Sequence, residues 1–84
     1  KIRALAIPRQ SVSYGMKYAE LVKKLKQLGC EFKRQASGSH EIWFNPHTRR
    51  SAPIPRHTSK DIGKGLLSKI LRELEIDRKD FDQA

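Results

Sequence analysis

Apolar residues at Tyr18, Leu21, Val22, Leu25 and Leu28 recur at i, i+3, i+4, i+7 and i+10, a spacing that predicts one amphipathic helix stopped by Gly29. Its opposite face carries Glu20, Lys23, Lys24, Lys26 and Gln27, with Glu20 and Lys24 in the favourable i, i+4 order. The period then changes. Residues 31–35, 40–45 and 49–54 read as three short strands, joined by Ser37-Gly38 and by Pro46-His47-Thr48, segments short enough for hairpins in an antiparallel meander. Pro53 and Pro55 lie two apart, so both missing N–H groups fall on one side of the third strand, which makes it an edge strand. A second apolar stripe, Leu66, Leu67, Ile70, Leu71 and Leu74, predicts a helix from about residue 65 to 74.

The order is α-β-β-β-α. It implies an α+β fold in which two helices cover one face of a three-stranded antiparallel sheet and the other face stays partly open. Within the second strand, alternation sets His40, Ile42 and Phe44 against Glu41, Trp43 and Asn45. Ile42 and Phe44 are the expected core residues, which puts His40 at the core's margin and leaves Trp43 exposed, where an indole can stack on a base for about 1–3 kcal/mol. Residues 1–15, broken by Pro8 and Gly15, read as a leader, tag remnant or extension outside a core of 16–76. Residues 77–84, with Asp77, Asp80 and Asp82, read as an acidic flexible tail.

At 84 residues the chain allows one small domain, which buries only about 60% of its unfolded surface and leaves little room for a large substrate cavity. Eighteen Lys and Arg against nine Asp and Glu give a formal charge of +9. Without Lys1, Arg3 and Arg9 the remainder is still +6. Such an excess suits a nucleic-acid partner, because each neutralised phosphate releases counterions; a basic surface that only keeps the protein soluble is the alternative. Neither helix pairs a Lys/Arg face with aromatic anchors, and no apolar run approaches the roughly 18 residues of a membrane span, so no membrane partner is expected. The single cysteine, Cys30, excludes an intrachain disulfide and reads as a small buried residue at a strand start, in keeping with a reducing, cytoplasmic setting.

The candidate chemistry centres on Gly38-Ser39-His40, a histidine just after a small-residue turn. Imidazole exchanges protons near neutral pH. Ser39 points away from its neighbour in an extended strand, so it reads as a turn hydroxyl for substrate phosphate rather than a nucleophile. His47 falls in a hairpin turn, and His57 is either a second acid–base group, a phosphate ligand or a loop surface residue. The three histidines are too dispersed for a metal site. Lys33, Arg34, Arg49, Arg50, Arg56, Lys60 and Lys64 surround the strands and the 60–65 loop, which ends at a helix N-terminus where an anion is favoured. Glycines at such a start also serve as simple caps.

From Met16 to Ile76 the chain resembles the HicA family of toxins. The matching pieces are Tyr18-Ala19-Glu20-Leu21, Gly38-Ser39-His40, Pro55-Arg56-His57, Lys60-Asp61-Ile62 and Ser68-Lys69-Ile70-Leu71-Arg72. The resemblance implies a fold like the double-stranded-RNA-binding domain. It also implies an mRNA endoribonuclease that needs neither ribosome, metal nor other cofactor and is held inactive by a HicB-type antitoxin. The family's catalytic histidine carries over to His40, with Gly38, Ser39, Trp43, Arg34, Arg50, Arg56, His57, Lys60 and Lys64 as candidate RNA contacts. Three positions depart from the family pattern: Leu66 stands for threonine, Glu75 for a helix-ending glycine and Pro53 for a β-branched residue. Two other readings remain, a non-catalytic RNA-binding module of the same fold and a basic face for an acidic protein.

Overall fold

The computed structural model describes residues 16–56 and 61–84. Helix α1 (Tyr18–Gln27) leads into β1 (Glu31–Gln35), β2 (His40–Asn45) and β3 (Arg50–Pro55), followed by α2 (Lys64–Glu73) and α3 (Arg78–Gln83). The strands form one antiparallel sheet in the order β1-β2-β3, so the proline-bearing β3 is an edge as its sequence requires. Leu21 and Leu25 of α1, Trp43, Ala52 and Ile54 of the sheet, Leu67, Ile70 and Leu71 of α2, and Leu74 just after it are buried in one cluster. Cys30 is buried in it too, and burial pushes its thiol up to about 11. The expected leader, residues 1–15, lies outside the described residues.

Both long helices end in the same backbone motif. Gly29 enters the left-handed region after α1, with Gly29 N–H donating to Lys26 O and Cys30 N–H to Leu25 O. After α2 the equivalent position is Glu75, at φ 55, with Glu75 N–H on Arg72 O and Ile76 N–H on Leu71 O. A glutamate thus occupies a conformation that favours glycine.

Two expectations are corrected. The alternation of β2 holds, but its faces are exchanged: Glu41, Trp43 and Asn45 are buried, whereas Ile42 and Phe44 are half-buried and His40 is exposed. Trp43 is only 2% exposed and therefore no stacking surface. The reason is that every polar group on the buried row finds a partner. Trp43 Nε1 donates to Glu41 Oε1 at 3.1 Å, and Asn45 Nδ2 donates to Leu74 O at 2.9 Å, at the end of α2. His40 therefore stands on the face away from the core, not at its margin. The second correction concerns the tail. Residues 78–83 form α3, begun by Asp77, whose carboxylate accepts from Lys79 N–H, and anchored by Phe81 at 1% exposure. Lys24 Nζ lies 5.1 Å from the Phe81 ring centroid and donates to Phe81 O, tying the end of the chain to α1.

Candidate functional site

The turn between β1 and β2 fixes the histidine. Gly38 takes φ +67, which a side chain tolerates poorly, and Ala36 N–H donates to His40 O at 2.9 Å to close the hairpin. Gln35 Nε2 donates to the same carbonyl at 2.9 Å. From the other side Arg56 N–H donates to Ser39 O at 2.7 Å, and His40 lies opposite Pro55. The imidazole is thereby carried on a strand end held by both neighbours. It opens onto a shallow cleft of about 120 Å³, which it lines with Pro53 and Pro55 of β3 and Leu66, Lys69, Ile70 and Glu73 of α2.

Behind His40, the next residue anchors the strand from the opposite face. Glu41 is 5% exposed and accepts from the Tyr18 hydroxyl and from Trp43 Nε1, with Arg56 Nη1 at 3.8 Å. The Arg56 guanidinium also lies 5.9 Å from the Tyr18 ring centroid. Burial, the hydrogen bond to Glu41 and the charge of that carboxylate push Tyr18 up to about 12, against a smaller opposing effect of Arg56. The neutral phenol and the buried carboxylate thus form one unit beneath the candidate site.

Several predicted residues meet here and others do not. Gly38 and Ser39 form the turn next to His40, and Arg34 lies cross-strand from Ile42 on the same open face. Arg56 reaches the turn beside His40 through its backbone N–H, yet its side chain is engaged with Glu41 and Tyr18 on the other face. Arg50 pairs with Asn45 at the far end of β2, about 17 Å along the strand by its rise per residue, and its guanidinium meets Glu75 at 3.0 Å. Lys64 sits in the first turn of α2. His57 and Lys60 fall outside the described residues. His47 is exposed in its turn, beyond the other end of β2 from His40. Sequence reasoning missed Lys69 and Glu73, the polar flank of the α2 stripe, because which flank meets the sheet edge is decided by tertiary packing. It also missed Phe44 as a surface residue.

Among the described residues no group of three or more His, Cys, Asp or Glu is placed to hold a metal ion, and no helix is long and apolar enough to cross a membrane. A search of curated proteins gives no match. The family model described as the HicA toxin of bacterial toxin–antitoxin systems matches residues 18–76, from the start of α1 to just past the end of α2. With the match spanning most of the chain and the fold agreeing, the chain belongs to the HicA toxin family, the toxin half of a bacterial toxin–antitoxin pair whose partner is a cognate antitoxin.

Proposed function

We propose that this toxin is a metal-independent mRNA endoribonuclease that acts in the cytoplasm through His40 and is silenced by a HicB-type antitoxin. The observation that carries the reading is the exposed His40, braced from both sides on a strand end and sharing a cleft with Lys69. In metal-free cleavage the ribose 2′-oxygen attacks the adjacent phosphorus. A bond forms between them, the bond from phosphorus to the 5′-oxygen breaks, and the products carry a cyclic phosphate and a 5′-hydroxyl. His40 takes the 2′-hydroxyl proton or supplies one to the departing oxygen, a role typically worth about 10²- to 10⁴-fold. Lys69 lies in the same cleft and offsets the charge that builds on the phosphorane. The Gly38-Ser39 turn approaches the substrate backbone, and the basic surface attracts it.

Inducible expression of the wild type and of His40→Ala tests this directly. Growth arrest and mRNA cleavage by the wild type alone, persisting in purified protein treated with EDTA, is the expected result. Cleavage by neither protein, with both folded and both binding RNA, would replace the enzyme with an RNA-binding module.

A further inference from the structure

We infer that the open sheet face binds single-stranded RNA, with a base stacked on Phe44 and neighbouring phosphates held by Lys33 and Arg34, so that the strand runs along β2 to His40. The inference rests on RNA being the substrate and adds which surface reads it and in which form. Phe44, Ile42 and His40 form one row on the face opposite the core, and neither Phe44 nor Ile42 is among the side chains packed against the buried cluster. The register shift between Phe32 and Arg34 inserts Lys33 as an extra residue, and its ammonium lies 5.1 Å from the Phe44 ring centroid. Arg34, cross-strand from Ile42, has no carboxylate partner among the described residues.

An aromatic ring under one cation, with a second cation opposite the next residue of its row, is suited to a splayed base and its phosphates. The bases of an A-form duplex, being stacked within the helix, cannot reach it. From Phe44 to His40 is about 13 Å of strand, the reach of a few nucleotides. On binding, the base takes the place over the ring and the Lys33 ammonium moves to a phosphate. Glu31 lies opposite Phe44 and is the only carboxylate of the strands on this face, so it marks the end from which phosphates are repelled.

The test uses a catalytically dead His40→Ala protein and a short single-stranded RNA carrying 2-aminopurine, whose fluorescence is quenched by stacking. Quenching is expected with that protein and lost on adding Phe44→Leu, with affinity falling roughly 5- to 100-fold. Phe44→Trp should restore both. Lys33→Ala with Arg34→Ala should weaken binding and flatten its salt dependence while some quenching survives at low salt. Emission from the buried Trp43 checks that each variant is folded. The inference is overturned if Phe44→Leu leaves RNA affinity unchanged, if a duplex of the same sequence binds as tightly, or if Phe44→Leu impairs only antitoxin binding. The enzyme reading fails separately: wild-type protein that cleaves RNA with an unaltered Phe44→Leu KM sinks the stacking alone, whereas a wild type that binds RNA without cleaving it sinks the catalysis alone.

Discussion

At Glu41 a single buried carboxylate collects a tyrosine hydroxyl, an indole N–H and a guanidinium, and each donor comes from a different place in the chain. Tyr18→Phe removes one of them, and unfolding in urea should show a loss of about 1.5–3 kcal/mol at neutral pH, the range for hydrogen bonds to charged groups. The same variant has a pH signature. Because folding raises the Tyr18 pKa from 10 to about 12, its contribution is complete below pH 10 and is lost as pH rises through 12. The stability gap between wild type and Tyr18→Phe should therefore close across that window. This residue-level arrangement was the least readable part of the sequence. Binary patterning treats Glu41 and Asn45 as surface, and only partners 23 and 29 residues away make their burial tolerable. Trp43 was misassigned for the same reason, whereas the Gly38-Ser39 turn and the strand start at His40 were placed because that turn is local.

At the scale of elements, the two helix ends make a matched experiment. Gly29 at φ +94 has His47 Nε2 only 3.1 Å from where a Cβ would stand, so Gly29→Ala should cost about 1–2 kcal/mol from the left-handed backbone, before any cost of the close approach. Glu75→Gly relieves the equivalent strain and should gain about 1 kcal/mol, less whatever its exposed ion pair with Arg50 contributes. Thermal unfolding of the two variants should shift in opposite directions. Both long helices and all three strands were readable from periodicity, within a residue or so at most ends. The third helix was not, since six residues with a single apolar anchor carry no period. Phe81→Ala should cost about 3–5 kcal/mol, because the ring fills the core beside α1; a value near zero would return the segment to a peripheral tail.

Over the whole molecule, the excess of positive charge was readable from composition, but its distribution was not. Lys33 beside Phe44, Arg34 opposite Ile42 and the lysine that shares a cleft with His40 are selected by a bulge and by which flank of α2 meets the sheet. Others, such as Arg50, Arg56 and Arg78, are engaged in ion pairs. Exchanging Lys33 and Arg34 together for Ala should reduce the logarithmic salt slope of single-stranded RNA binding by about 1.4, at roughly 0.7 per phosphate contact. Exchanging Arg78, which is paired with Asp82 on α3, should leave the slope unchanged. The braced His40 has a further consequence for how such a protein is governed. On the proposed reading, a site assembled by folding itself needs no further step to act, so each folded copy is armed as it leaves the ribosome. Restraint then becomes a matter of inventory: the unblocked fraction follows from the antitoxin's free concentration and dissociation constant, and a fall in supply or a burst of antitoxin degradation is by itself a trigger.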